Sequence, residues 1–151
     1  MTTRTFTIIK PNAVAAGNTG KILAQILADG FRIRAMKMVF MSRNQAERFY
    51  AIHKGKPFFA TLVMFMTSGP TMVAVLEKQD AVAELRRLVG ATDPAKAEPG
   101  TIRNLYADSM TRNAIHASDS DENAEIEWSQ FFAVDEIMEA EYFLPLPESE
   151  F

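Results

Sequence analysis

The chain has 151 residues and a mass of 16.9 kDa, the size of one ordinary domain, with 48% hydrophobic and 23% charged residues. It contains no cysteine, which excludes a thiolate nucleophile, a disulfide scaffold and a zinc–thiolate site, and fits a reducing compartment such as the cytoplasm. A net charge of −3 and a pI near 5.4 argue against a general grip on nucleic acid, and no apolar run reaches membrane-spanning length.

A strand-like segment, Thr5 to Lys10, begins almost at once, so no signal or transit peptide is expected. That strand stops at Pro11, which has no N–H to offer a ladder. Asn12 to Gly20, with its glycines and asparagines, reads as a loop. Helical spacing follows in Ile22, Leu23, Ile26 and Leu27 and ends at Asp29-Gly30. Phe31 to Met41 reads as a long strand. Ser42 then caps a helix bearing Ala46, Phe49 and Tyr50, and His53 reads as a residue at that helix's end rather than a ligand.

Lys54-Gly55-Lys56-Pro57 breaks the pattern, and the run Phe58 to Met66 is so apolar that helix and strand fit it equally. Thr71 to Glu77 is a central-strand candidate. The next helix, about Asp80 to Val89, has a stripe of Val82, Leu85, Leu88 and Val89; Arg86 borders the stripe and Arg87 points away from it. Gly90 to Gly100 is a long connection of the kind that often carries function. Ala133 to Phe151 is acidic, has Pro145 and Pro147 near its end, and reads as an extended tail that wraps a neighbour or frays. With no internal repeat or linker, residues 1–151 read as a single domain. The element order predicts an α+β fold, a split βαβ arrangement with a four-stranded antiparallel sheet and helices on one face.

The stretch Asn113 to Phe132 concentrates the chemistry. Ala114-Ile115 reads as a short strand that delivers His116 to a bend. Ser118, Asp119 and Ser120 supply helix-starting side chains, and Asp119 with Glu122 has the spacing of a loose capping box. On the helix that follows, Ala124, Trp128 and Phe131 share a face with Glu127. A carboxylate among apolar neighbours needs a partner, and His116 is the nearest candidate. Such a pair is either an oriented nucleophile or base, or a satisfied core histidine beside a surface glutamate.

Neither a P-loop nor a dinucleotide GxGxxG is present, there is no HExxH, and two distant histidines make a poor metal site. What remains is a scatter of cations and polar groups next to structural breaks: Lys10, Tyr50, Arg86, Thr92, Arg103 and Asn113. Singly, each reads as a surface or capping residue. Gathered around His116, they would describe a phosphate site, with Lys10, Arg86 and Arg103 balancing the anion and Thr92 and Asn113 as uncharged donors.

NAIHASDS resembles the active-site signature of nucleoside diphosphate kinases, N-x-x-H-x-S-D. IIKPNA, HKGKPFF, TSGP, RRLVGATDP, EPGTIR and ENAEIE accompany it in that family's order, from about Thr3 to Phe132. The resemblance implies a ferredoxin-like βαββαβ sandwich. It implies that His116 is the phosphorylated nucleophile, with Glu127 orienting it and Ser118 in support. Lys10, Tyr50, Arg86, Thr92, Arg103 and Asn113 would surround the nucleotide's phosphates and sugar; Phe58 would stack on the base, with Leu62 and Met110 at the rim. The implied activity moves the γ-phosphate of a nucleoside triphosphate, usually ATP, to a nucleoside diphosphate, with Mg²⁺ arriving on the nucleotide and no dedicated protein metal site. A homo-oligomer, hexamer or tetramer, is implied as well. Asn12-Ala13, Ala117, Asn104-Leu105-Tyr106 and Thr61 depart from commoner family residues, and none is a residue with a catalytic role. The alternative is a non-catalytic nucleotide-binding or regulatory protein on the same scaffold. An RNA-recognition module would need aromatic stretches and a basic face that the chain lacks.

Overall fold

The structure is a computed structural model that describes residues 1–143 and 148–150. Four strands, β1 (Thr2–Ile9), β2 (Arg32–Val39), β3 (Thr71–Gln79) and β4 (Ile115–Ala117), form one antiparallel sheet in the order β2-β3-β1-β4. The helices are α1 (Pro11–Ala15), α2 (Thr19–Ala28), α3 (Arg43–Phe49), α4 (Phe59–Met66), α5 (Ala81–Val89), α6 (Ile102–Tyr106) and α7 (Asp121–Trp128).

The helices cover both faces of the sheet, not the one face expected from the pattern. The reason lies in the central strands, which are buried along most of their length instead of alternating in and out. Ile9, Met72, Ala74 and Leu76 pack with Ile22, Ile26, Leu85 and Ile102 of α2, α5 and α6. Phe6, Ile8, Val73 and Val75 face the other way, onto Ala46, Phe49, Val63 and Met66 of α3 and α4 and onto Phe131 and Phe132. Together these sheet faces would be costly to leave wet, at roughly 25 cal/mol per Å² of apolar surface.

Local differences from the sequence reading have local causes. The apolar run after Phe58 is helical: α4 turns Val63 and Met66 inward, while Met64 stays 72% exposed. The expected loop after Pro11 instead begins with α1, where proline sits in the first turn and its missing N–H costs nothing. Arg103 likewise lies on a short helix, α6, started by the Thr101 hydroxyl accepting from the Asn104 N–H. Ser42 does cap α3, in a reciprocal box with Gln45. At α7 the cap is Ser120, accepting from the Asn123 N–H, and Asp119 accepts from the Asn123 side chain instead of forming a box with Glu122.

The tail wraps its own sheet. Ile137 is buried in the outer cluster, the Met138 N–H donates to the Arg34 carbonyl at 2.8 Å, and Glu139 pairs with Arg4 at 3.0 Å. Leu144, Pro145 and Pro147 lie outside the described residues.

Candidate active site

The site is built on the end of β1 and on β4, its short neighbour. Lys10 follows β1 directly; its backbone N–H donates to the Ala114 carbonyl at 2.8 Å and its Nζ to Asn113 Oδ1 at 2.8 Å. Ala114 has φ 74°, and the Ile115 N–H donates back to the Asn113 carbonyl at 2.9 Å, the pattern of a strained positive-φ γ-turn. Burial of Ala114 and pairing on both sides hold that turn in place. It rotates the chain into β4 so that His116 sits opposite Ile8, with its carbonyl accepting from Thr7 Oγ1 at 2.8 Å.

Glu127, the last residue but one of α7, reaches across to His116. His116 Nε2 lies 2.8 Å from Glu127 Oε1, and Ser118 Oγ donates to the same oxygen at 2.6 Å. A carboxylate only accepts, so the bond places the proton on Nε2 and leaves Nδ1 as the nitrogen with a free lone pair. Among the described residues, Nδ1 has no hydrogen-bond partner. Phe49 meets the imidazole edge-on, with ring centres 5.1 Å apart, and fixes its plane.

The cations reach the site from three elements. Arg86 on α5 donates to the Ala117 carbonyl at 3.3 Å, whereas Arg87 pairs outside with Glu84 and Asp29, as its place on the wheel predicted. Arg103 on α6 donates to the carbonyls of Gly90 and Ile115 at 3.1 and 2.9 Å. Gly90 must be glycine there: its φ is +89°, and an added Cβ would lie 2.5 Å from Thr101 Oγ1, the cap of the helix that carries Arg103. Lys10, Arg86 and Arg103 therefore bond to neutral oxygens, and among the described residues no carboxylate pairs with them.

The electrostatics follow from that imbalance. Burial and the nearby Arg103 charge push the Lys10 ammonium down to about 7. Burial and Arg86 lower Arg103 to about 10, so it keeps its charge at neutral pH. Burial, with Glu127 adding to it, pushes the Tyr50 phenol well above its ordinary value, so Tyr50 stays a neutral donor. Tyr50 Oη and Arg103 Nε are buried and have no hydrogen-bond partner among the described residues.

A cavity of about 770 Å³ opens over these groups. Lys10, Tyr50, Phe58, Leu62, Arg86, Thr92, Arg103, Met110, Asn113, His116 and Glu127 all line it, and Ser118 stands behind Glu127. The grouping expected from the sequence is thus present. Its lining also includes Arg48, His53, Asp119 and Asn123, which the sequence reading did not place there. His53 had one usable signal, its ring spacing of three residues after Tyr50 and five before Phe58; Arg48 had none that separates it from a solvated helix charge. A cleft of similar volume between α1 and α4 contains Arg112 and hydroxyls but no histidine–carboxylate pair.

Glu127 already serves His116 and Ser118, leaving Asp119 as the other carboxylate on the cavity wall. Among the described residues, no three His, Cys, Asp or Glu side chains gather as a metal cage. This donor set suits an ion held chiefly by a ligand's own phosphate oxygens.

The profile of the nucleoside diphosphate kinase family matches residues 3–137. A nucleoside diphosphate kinase of Phenylobacterium zucineum is 56% identical over 138 residues, covering 91% of this chain and 99% of that one. One from Bradyrhizobium diazoefficiens is 55% identical over 135 residues, covering 89% and 96%. Among solved structures, the Aquifex aeolicus nucleoside diphosphate kinase superposes with a TM-score of 0.89 at 42% identity, covering 91% of this chain and 100% of its own. The Halobacterium salinarum enzyme, solved with CDP, gives 0.88 at 38% identity, covering 92% and 93%. With the profile spanning most of its length and relatives above half identity, the chain belongs to the nucleoside diphosphate kinase family.

Proposed function

We propose that the chain transfers the γ-phosphate of a nucleoside triphosphate, usually ATP, to a nucleoside diphosphate through a phosphohistidine at His116. The observation that carries this reading is an imidazole with one nitrogen tied to a carboxylate and the other, among the described residues, free, beside cations that no described carboxylate pairs with.

In the first half-reaction the Nδ1 lone pair forms a bond to the γ-phosphorus as the bond from that phosphorus to the bridging oxygen breaks. The electron pair leaves with the nucleoside diphosphate. The imidazole becomes N-phosphorylated and cationic, and Glu127 stabilises the proton that remains on Nε2. In the second half-reaction a terminal oxygen of another diphosphate attacks, and Nδ1 departs with its electron pair. Lys10, Arg86 and Arg103 stabilise charge on the moving phosphoryl group, while Tyr50, Thr92 and Asn113 contribute neutral polar groups. Phe58 supplies a face for the base, with Leu62 and Met110 at the rim. Asp119, the other carboxylate on the cavity wall, would help to hold Mg²⁺ arriving with the nucleotide, and the ion would supply further neutralisation of phosphate charge. A purely regulatory nucleotide binder has no use for the paired imidazole, and that reading is not favoured.

The assay is direct. Mixing the protein with Mg·ATP and no acceptor should release at most one ADP per chain and leave one phosphoryl group on the protein. The label should survive alkali, fall off in acid and discharge onto any nucleoside diphosphate. A label stable to acid would point to Ser118 or Ser120 instead, and burst-free turnover without label would mean direct transfer between two bound nucleotides.

We read residues 1–151 as one domain, since a single sheet serves both core clusters. A cytoplasmic site of action is supported by the lack of cysteine, and no described helix is long and apolar enough to cross a membrane. Self-association, as a hexamer or tetramer, is supported by β2, an edge strand with Met36 and Met38 49% and 55% exposed, followed by Phe40 at 65%. A monomeric mass by light scattering at micromolar concentration would refute it.

A further inference from the structure

Lys10 differs from other lysines of the chain in what surrounds its amine. Lys78 is held by Asp29 and Glu84 at 3.0 and 2.9 Å, Lys37 pairs with Glu136 at 3.7 Å, and Lys21 and Lys96 are exposed. Lys10 is 6% exposed, lines the cavity, and donates to the neutral Asn113 Oδ1 at 2.8 Å. An ion-paired ammonium has no lone pair to give, whereas a buried amine beside cations favours the form that has one. Burial and the Arg103 charge bring Lys10 down to about 7, so much of it is neutral near neutral pH.

The same cavity holds what would steer an electrophile to that amine. Arg86 and Arg103 line it, each seated on a carbonyl of β4, and Arg103 is near enough for its charge to be felt at Lys10. A phosphate drawn to these guanidinium groups therefore lies beside a nucleophilic nitrogen. The matching electrophile carries its carbonyl carbon one bridging oxygen away from phosphorus, which describes a mixed anhydride of a carboxylic acid and phosphoric acid. Such a molecule offers the charge of a terminal phosphate without base or sugar, so it needs only the inner end of the cavity.

We propose that Lys10 is an acylation site for small acyl phosphates, guided by Arg86 and Arg103, and that its acylation shuts down phosphoryl transfer. This rests on the reading of the inner end as the phosphate site. The Nζ lone pair forms a bond to the carbonyl carbon, and the bond from that carbon to the bridging oxygen breaks. Inorganic phosphate leaves with the electron pair and takes up the proton displaced from nitrogen. Bound phosphate draws Lys10 back towards the ammonium, so attack proceeds from the neutral fraction that remains. The product is an amide without charge where a cation stood on the cavity wall.

The test treats the whole chain with acetyl phosphate near neutral pH and follows each lysine by peptide mass spectrometry, alone and with ADP or inorganic phosphate. Lys10 should be acetylated about tenfold faster than Lys21 or Lys96. ADP and inorganic phosphate should each slow Lys10 about tenfold and spare the other two, and turnover should fall in proportion to Lys10 occupancy. Lys10→Gln, which copies the neutral amide, should fold by thermal melting and lose turnover on the order of a hundredfold. Equal rates at Lys10 and Lys21, no protection by either ligand, or full turnover in protein acetylated at Lys10 would each overturn the proposal. An acid-labile phosphoryl group on His116 with no acetyl on Lys10 would also overturn it, since the acyl phosphate would then be a phosphoryl donor, and the transfer reading would stand. Acetylation of Lys10 that inorganic phosphate blocks, in protein that ATP does not label, would keep the site and fail the transfer reading.

Discussion

The two ends of the cavity are built on opposite principles. At the phosphate end, Lys10 and Asn113 are 6% and 3% exposed, and the imidazole, carboxylate and guanidinium groups are locked by hydrogen bonds to strands and helix ends. At the end proposed to hold the base, Phe58 and Met110 are 47% and 60% exposed and offer only apolar surface. Rigidity is concentrated where charge moves and a misplacement of an ångström is costly; tolerance is left where the substrates differ from one another. On the proposed function, an apolar stacking wall of this kind has no means of reading base edges.

The largest expected effect breaks the rigid end outright. His116→Ala should fold, still bind nucleotide through Lys10, Arg86, Arg103 and Phe58, and lose phosphoryl label together with turnover, a drop on the order of 10⁴-fold or more. Substantial residual activity in that variant would be fatal to the mechanism. Next in size, Glu127→Gln keeps the shape but not the charge that orients His116, and turnover should fall about tenfold to a thousandfold with little change in nucleotide affinity. Unaltered turnover in the folded variant would reduce Glu127 to a structural role.

The tolerant end is sharpened by a smaller number. Values of kcat/KM for adenine, guanine and pyrimidine diphosphates should lie within about one to two orders of magnitude, or ~1–3 kcal/mol. A gap of many thousandfold would reveal a reader of base edges on this wall.

The smallest effect is a fraction of a proton. Lys10 is held at about 7 in the folded protein against an ordinary 10.5. Between those values the unfolded chain binds more protons than the folded one, so the Lys10 contribution to apoprotein stability should rise with pH across that window. Phosphate should reverse the shift, so binding at about pH 8.5 should take up part of a proton. Calorimetry in two buffers of different ionisation enthalpy would detect this; uptake that persists in Lys10→Met would assign it elsewhere.

Much of the scaffold was legible because the signals were periodic or chemical. The stripe of α5 separated inward Arg86 from outward Arg87, and the carboxylate of Glu127 among apolar neighbours called for a partner that His116 supplies. Short elements were not legible. The helices α1 and α6 have five residues each, too few for a stripe, and each depends on tertiary packing more than on propensity. Burial on both sheet faces was hidden for the same reason that α4 was ambiguous: a continuous apolar run has no period to read. At the site, residues beside a recognisable break could be gathered in advance, while Arg48 and His53 acquire their place only when α3 and α4 fold over the sheet.

The strand β4 is the sheet's outer edge, three residues long, and its outward carbonyls at Ile115 and Ala117 are occupied by Arg103 and Arg86. An open edge of this kind is a template on which a stray strand can add, and guanidinium groups seated on it act as stoppers. The same two side chains thus cover an open strand edge while they line the cavity proposed to take the phosphates. Low yield or clumping after removal of either one would be a loss of edge protection, to be separated from lost catalysis before any rate is compared.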